Sequence, residues 1–578
     1  MSGCMPLQRL HLCMICALCF VVCQFVFLLV LLQRETFTGR LLLFDGGDHG
    51  KGKDERRLFG WREFISHTPE QSAAFYQYNL QLSDRVGAVR WLPRTRHESC
   101  DSQRTYSLPH ASRAKVSVVI SFHNEARSML LRTIISLISR TPEDYLHELI
   151  LIDDASQDVS LLDDLKKLMA KVYATRGRLT LICLRNVRRQ GLIWSRNRGA
   201  EAATGHFLLF LDSHCEVNEA WLEPLLDRLA LNATLAVSPL LDPIDPTTLR
   251  YSKGNELLKG GFDWSLHFHW LKRELSAKEA PEQPYPSPAF AGGVLMISRD
   301  WFLKLRGFNS RLKIWGGESI ELAIKLWLCG GQIEIVPCSR IGHIFRPRHA
   351  FDFPPQFDHE SSAALATYLH NSKIIAESWL DEYKNMFYVL KPAARQIPLL
   401  PTDQEEDHPT RQLKLELQCH RFDWYLRHVS PELKAHFNEL AAMGTLKNGH
   451  RCLHARRTDT DMDTDSEVKL PVILDSCYLN DITHWRLLRQ SGQLSTATER
   501  CLGVEENSQP PRLTLNACSR HKTRKKAQRW LRRGTQLVHN ETHLCLDNPL
   551  KNQLVLSPCR SLAASQSFQF ALEIEKQT

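Results

Sequence analysis

The sequence lacks a dominant charge: Lys and Arg number 73 against 64 Asp and Glu, a formal excess of +9 over 578 residues. An excess this small is what a solvated surface carries, and it argues against nucleic acid as a partner. Compositional bias is missing too, since 43% hydrophobic and 24% charged residues exclude wholesale disorder. The length excludes a single core, because domains run to roughly 100–200 residues. Two or three folded units are expected.

Also missing is a small-residue cleavage site after a short apolar run, which favours a signal anchor over a cleaved signal peptide. In its place Leu10 to Leu32 form a continuous apolar stretch whose only polar members are His11 and Gln24. At ~1.5 Å per residue it can span a bilayer as a signal anchor. Arg9 before it and Arg34 and Arg40 after it leave the orientation open. Cys13, Cys16, Cys19 and Cys23 imitate metal-ligand spacing but lie inside the span. Thiols there act as small hydrophobes or acylation sites, so no zinc site is expected. Of the 17 cysteines, five precede residue 24 and twelve follow it, an even number, together with sequons at Asn232 and Asn540. Both features fit an oxidising lumen.

Residues 33 to about 95 show no sustained period and read as a stem. From Lys115 the pattern changes. VSVVISF, ELILID, RLTLICLR and HFLLFLD are short β-branched and apolar runs alternating with stretches of helical spacing, which predicts an α/β unit with a mainly parallel sheet. Ligands of such sheets sit beyond the carboxyl ends of the strands, where Asp153-Asp154 and Asp212-Ser213-His214 fall. A polar stretch at 401–412 reads as a linker and another occupies 457–467. In the last segment Cys-Leu pairs recur at Cys452, Cys501 and Cys545, each followed by a second cysteine at Cys477, Cys518 and Cys559. Each module then supplies an aromatic, at Trp485, Trp530 and Phe568, and the triplication predicts a threefold β-trefoil.

Asp212 and His214 follow an apolar strand and alternate onto one side, where a carboxylate and an imidazole can share a divalent cation. Asp212 could instead cap the helix starting near Asn218; His343 as a third ligand favours the cation. Asp153 and Asp154 suit either a helix cap or hydrogen bonds to a nucleotide base or ribose. Arg188, Arg189 and Arg196 around Gly191 suit either diphosphate recognition or a solvated basic helix. Gly292-Gly293 and Trp315-Gly316-Gly317-Glu318 are either tight turns or backbone shaped for close ligand approach. Trp315 with Glu318 supplies the aromatic wall and fixed polar group of a sugar site.

The motifs FHNEARS, LIDDAS, FLDSHCE, GGFDW, AGG, WGGE and PCSRIGHIFR, in this order and spacing, resemble the polypeptide N-acetylgalactosaminyltransferases from about residue 60 to the end. The resemblance implies a type II Golgi membrane protein with a GT-A catalytic domain and a C-terminal ricin B-type lectin domain. It implies retaining transfer of GalNAc from UDP-GalNAc to Ser or Thr hydroxyls of polypeptides or glycopeptides, with Mn²⁺ as cofactor. On this pattern residues 1–9 are a cytoplasmic tail, 10–32 the transmembrane anchor, 33–95 the lumenal stem, 96–395 the catalytic domain, 396–448 a linker region and 449–578 the lectin domain.

Carried over by position, Asp212, His214 and His343 match the metal ligands. Ser121, Asp153 and Arg189 match nucleotide contacts, and Arg346 a residue on the diphosphate side. Gly292, Trp315 and Glu318 match the sugar and leaving-group region, and Phe351 stands in the lid of the substrate site. No residue is an unambiguous nucleophile, and the family implies a front-face mechanism in which the departing phosphate helps deprotonate the acceptor. Ser319, Phe351, Gln190 and Trp194 depart from the family's usual Asn, Tyr, Glu and Arg, and the segment after His349 lacks the lid's glycines. These departures define an alternative: a catalytically weak member acting as a Golgi lectin or binding protein. The resemblance pairs Cys100 with Cys338, Cys329 with Cys419, Cys452 with Cys477, Cys501 with Cys518 and Cys545 with Cys559, leaving Cys183 and Cys215 free. In the lectin part only the third module keeps Cys-Leu-Asp, making Asp547 the candidate GalNAc anchor.

Overall fold

The computed structural model describes residues 61–574, apart from 69–72, 103–105, 107, 109, 111–113, 174–178, 277–278, 355–362, 399–408, 456–471, 478–482, 497, 506–509, 520–525 and 551–552. The apolar span at 10–32 lies outside the described residues. No described helix is long and apolar enough to cross a membrane.

The strands of the first domain are β1 (Val116–Phe122), β2 (Leu146–Asp153), β3 (Thr180–Arg185), β4 (Phe207–Asp212), β5 (Cys215–Val217), β6 (Leu235–Ile244), β7 (Leu258–Phe262), β8 (Phe268–Lys272), β9 (Tyr285–Pro286), β10 (Val294–Ser298) and β11 (Gln332–Ile344). All but β7 and β8 join one sheet in the order β3-β2-β1-β4-β10-β6-β11-β5, with β9 on β11. The half from β3 to β4 is parallel, as is β6 with β11. The sheet is nonetheless mixed, because β10 enters antiparallel between β4 and β6.

Its two faces feed two separate cores. Val119, Ile150, Ile152, Leu208 and Phe210 pack on one side. Val118, Ile120, Leu149, Leu151, Leu209 and Leu211 pack on the other. That is period-2 alternation in strands covered on both faces, and it explains why they read as unbroken apolar runs. Helices α1 (Arg127–Arg140) and α2 (Leu161–Tyr173) follow β1 and β2, and α3 (Leu192–Ala202) follows β3. Helix α3 lies close on the sheet at Gly199, where a Cβ would meet Val119 Cγ1 at 2.4 Å and Ile152 Cδ1 at 2.8 Å. The chain order reverses at β1, with β2 on one side and β4 on the other, and this switch point opens a crevice at the strands' carboxyl ends.

Two boundaries differ from the sequence reading. The described residues between 61 and 95 are not a free stem: Phe64 and Ile65 join the β-sheet core, and Arg90 makes a two-pronged bond to Glu216 at 2.6 and 2.8 Å. Residues 409–439 are not a linker, because their helices bury Phe422, Tyr425 and Leu426 and Cys419 is bonded to Cys329. In both segments a few buried aromatics and ion pairs sit in polar surroundings, so average composition conceals their anchoring.

The second unit begins at Leu440, whose strand Leu440–Asn448 pairs with Gln569–Glu573 and closes the trefoil. Trp485, Trp530 and Phe568 fill its core. The two indole N–H groups each donate 2.8 Å bonds to the carbonyl of the leucine in their own Cys-Leu pair, Leu453 and Leu502. Among the described residues five disulfides form, Cys100–Cys338, Cys329–Cys419, Cys452–Cys477, Cys501–Cys518 and Cys545–Cys559, while Cys183 and Cys215 are free. Leu440, Met443 and Ile574 of the trefoil belong to the same core as Phe387 and Val389 of the first domain, so the two units share apolar contact.

Phe422 stacks on Tyr425 at 5.4 Å between centroids and is fully buried. Phe422→Ala is expected to lower stability by about 3–5 kcal/mol, the usual loss for a buried aromatic, read from the denaturant midpoint. A linker residue would leave the midpoint unchanged.

Candidate active site

Strand β4 ends at Asp212, and after a two-residue turn β5 starts at Cys215. The long strand β11 runs antiparallel to β5 with His343 opposite Cys215. This pairing places ligand atoms of Asp212, His214 and His343 within 4.8 Å of one another. His343 Nε2 lies 3.3 Å from Asp212 Oδ2, and the two imidazoles are 4.9 Å apart. Gly293 on the neighbouring segment leaves the space open: a Cβ there would stand 2.9 Å from Asp212 Oδ2 and 3.1 Å from His343 Nε2. One carboxylate and two imidazoles around such a cradle fit a divalent transition metal such as Mn²⁺.

The charges beside this cluster are fixed by Arg346 and Arg196 together with Glu125, which the sequence did not single out. Glu125, after β1, accepts bonds on Oε2 from Ser213 Oγ at 2.7 Å and Arg346 Nη2 at 2.6 Å, and on Oε1 from the Tyr78 hydroxyl at 2.9 Å. His214 Nδ1 is 3.2 Å from the same Oε2. Donation from Nδ1 sets the tautomer that leaves Nε2 free as a metal ligand. Burial by itself would raise the Glu125 carboxyl, but the Arg346 charge and the bonds from His214 and Ser213 outweigh it and hold it well below the carboxylate range. Asp212 obeys the same balance. Burial raises it, while His343 and the Arg196 guanidinium, 2.7 Å from Oδ1, bring it down to about 2. It is a carboxylate at any working pH.

At the end of β1, Ser121 lies opposite Asp212 in the sheet, and its buried Oγ has no partner among the described residues. Asp153 is fully buried, closed by Arg185 and by the Ser156 N–H at 2.8 Å. Asp154 is the organiser of the next loop. It accepts from Arg189 Nη1 at 2.7 Å and from the backbone of Gln190 and Gly191 at 2.8 and 2.7 Å. Arg189 in turn lies over the Phe351 ring, 5.1 Å from its centroid.

A cavity of ≈ 700 Å³ opens beside the cluster, lined by Asp212, His343, Gly292, Trp315, Glu318 and Ser319 among others. Glu318 begins helix α4 (Glu318–Leu328) after Gly317, whose φ of 86° suits glycine. Its carboxylate accepts from the Gly316 N–H at 2.9 Å, and burial raises its pKa. Asn371, also unforeseen, donates to the carbonyls of Lys313, Trp315 and Gly316 and so fixes the whole loop. Trp315 packs edge-on to His349 at 4.4 Å. Arg346 therefore sits behind the metal ligands on Glu125, whereas Trp315 and Glu318 face the cavity. Asp547 lies apart, in the trefoil. Glu125 could have been suspected from its place after β1 at the switch point; Asn371 carries no local signal.

Three family models match the chain: glycosyl transferase family 2 over residues 117–306, N-terminal domain of galactosyltransferase over 273–350, and ricin-type beta-trefoil lectin domain over 442–568. The chain is 63% identical over 567 residues to putative polypeptide N-acetylgalactosaminyltransferase 13 of Drosophila melanogaster, covering 98% of each. It is 37% identical over 536 residues to polypeptide N-acetylgalactosaminyltransferase 16 of Homo sapiens, covering 90% of this chain and 88% of that protein. Among solved structures, GalNAc-T7 crystallised with UDP, GalNAc and Mn²⁺ superposes with a TM-score of 0.62 at 27% identity, covering 88% of this chain and 90% of that one.

Glu125→Gln keeps the shape but removes the charge facing Arg346 and the strong acceptor for His214. Mn²⁺ affinity, measured by titration, is expected to fall about 10–100-fold, the range for a hydrogen-bonding partner of a metal ligand.

Proposed function

The chain belongs to the polypeptide N-acetylgalactosaminyltransferases, and from that premise we propose that it moves GalNAc from UDP-GalNAc onto Ser and Thr hydroxyls of polypeptides with retention of configuration. The observation that carries this reading is the Asp212–His214–His343 cluster at the sheet's switch point, opening into a sugar-sized cavity walled by Trp315 and Glu318.

In this reading Asp212, His214 and His343 hold Mn²⁺, which when bound offsets the charge that develops on the departing diphosphate. Ser121, Asp153 with its partner Arg185, Arg189 and Arg346 bound the nucleotide end. Gly292, Trp315 and Glu318 shape the sugar end, and a Cβ at Gly292 would stand 3.5 Å from Glu318 Oε1. The buried Glu318, its carboxylate held by the Gly316 N–H, orients sugar hydroxyls and resists reorganisation. The acceptor hydroxyl loses its proton to the leaving phosphate on the same face, which accounts for retention without a protein nucleophile.

The rest of the reading concerns location and binding. The 10–32 span anchors a type II protein in the Golgi membrane with both domains lumenal, an environment suited to the five disulfides and to glycans on Asn232 and Asn540. In the trefoil, Asp547 Oδ2 accepts from Gln566 Nε2 at 3.0 Å and Arg560 Nη2 at 3.1 Å. In this reading Asp547 anchors a GalNAc hydroxyl. The second reading, a catalytically weak lectin, rests on Phe351, which meets Arg189 with a bare ring where a tyrosine hydroxyl would be.

The test is transfer of radiolabelled GalNAc to pooled Ser/Thr peptides and to GalNAc-glycopeptides. Mn²⁺-dependent transfer is expected, abolished by EDTA and reduced at least ~100-fold in Asp212→Asn. No transfer by a protein that still binds UDP and Mn²⁺ moves the weak-lectin reading to the front. Asp547→Asn is expected to slow glycopeptide substrates selectively and leave unmodified peptides unchanged.

A further inference from the structure

Residues 76–92 contribute no strand to the sheet, yet their tyrosines reach the back of the metal cluster. Tyr76 and Tyr78 are both buried and join a small core with Met129 of α1 and Ile344 of β11, the residue after His343. Gln77 between them adopts a φ of 59°, a strained value for a residue with a Cβ, which persists only where the packing on either side enforces it. The segment is pinned further along as well. The Asn79 N–H donates to Pro246 O at 2.8 Å, and Arg132 of α1 donates to the carbonyls of Ser83 and Gly87 at 2.5 and 2.9 Å.

We propose that Tyr78 is a positioning residue for the metal centre, acting through Glu125 and Arg346. One side chain holds both. Its hydroxyl donates to Glu125 Oε1 at 2.9 Å, where the Ala126 N–H, at 3.2 Å, makes a longer bond. Its ring lies against the Arg346 guanidinium, 5.3 Å from the centroid. With Oε1 tied back in this way, Oε2 is turned toward Ser213, His214 Nδ1 and Arg346.

The orientation matters because two groups compete for His214 Nδ1. Glu125 Oε2, at 3.2 Å, accepts a proton from it, whereas Arg346 Nη2, at 3.3 Å, offers one to it. The first arrangement leaves Nε2 bare for a metal; the second puts the proton on Nε2 and blocks it. A carboxylate fixed at both oxygens favours the first. Freed at Oε1, it turns, loses its alignment with Nδ1 and lets the second compete. Metal affinity therefore depends on a segment that the sequence assigned to the stem. This inference rests on the reading of Asp212, His214 and His343 as the Mn²⁺ ligands.

The test is titration of the intact chain with Mn²⁺ alone, following free Mn²⁺ by electron paramagnetic resonance. Tyr78→Phe, which keeps the ring, is expected to weaken Mn²⁺ about fivefold, the worth of one hydrogen bond. Tyr78→Leu, which also removes the ring beside Arg346, should weaken it further. In a Glu125→Gln background the effect of Tyr78→Phe should shrink below about twofold, because the carboxylate it orients is gone. Ser83→Ala breaks the 2.7 Å bond to Ser128 in the same segment and should leave Mn²⁺ affinity unchanged. In the metal-free protein with ¹⁵N-labelled histidine, the His214 signals should move in Tyr78→Phe from the Nδ1–H tautomer toward averaged values. Native Mn²⁺ affinity in Tyr78→Phe, an undiminished effect in Glu125→Gln, an equal loss in Ser83→Ala, or unmoved His214 signals each overturns the role of Tyr78 and leaves the metal site standing. Failure of the native chain to bind Mn²⁺, or undiminished binding in Asp212→Asn, overturns the metal reading and this inference with it.

Discussion

The pairing of β5 with β11 is the constraint on which the rest of the molecule depends. Three residues, Cys215–Val217, bind a strand that begins more than a hundred positions later, and through them His343 reaches Asp212 and His214. Because side chains alternate along a strand, a slip of one residue would turn His343 to the opposite face and dissolve the cluster. Register is held on the other side of β11 by its ten-residue parallel ladder to β6, and the bulge between Val336 and Arg340 leaves Cys338 placed to meet Cys100. A short and otherwise weak strand thus inherits its precision from a long one.

Around that pairing the buried charges are kept in balance. Glu125, Asp212, Arg196, Arg346 and His214 would each be costly alone in a low-dielectric interior. Joined in one network they neutralise one another and stay within hydrogen-bond reach. A cation entering among Asp212, His214 and His343 meets two imidazoles and a carboxylate already charged and oriented, so little reorganisation accompanies binding. The same economy holds one layer out, where Asn371 alone closes three carbonyls of the loop bearing Trp315 and Glu318.

Much of this was legible in the sequence. Unbroken apolar runs marked strands covered on both faces, and carboxylates at their ends marked the crevice. Triplicate Cys-Leu pairs with trailing aromatics marked the trefoil, whose Trp485, Trp530 and Phe568 do meet in one core. Residues 61–95 and 409–439 misled, because anchoring by Arg90, Phe64, Phe422 and Tyr425 is sparse and leaves average polarity high. The place of Glu125 after β1 was a signal, but its role was not. Its four partners come from residues 78, 213, 214 and 346, and nothing near residue 125 announces them.

By itself the sequence determined what depends on neighbours along the chain: which stretches extend, where strands stop, where glycine admits a positive φ, and which motifs resemble a known family. The tertiary structure alone decided which distant groups share a dielectric environment. It placed Glu125 behind His214, engaged Asp153 with Arg185, and brought the trefoil against the first domain's core. The reason is physical. Chain propensities act over a few residues, whereas hydrogen bonding, desolvation and Coulomb energy depend on separation in space, which only the folded sheet and its two cores define.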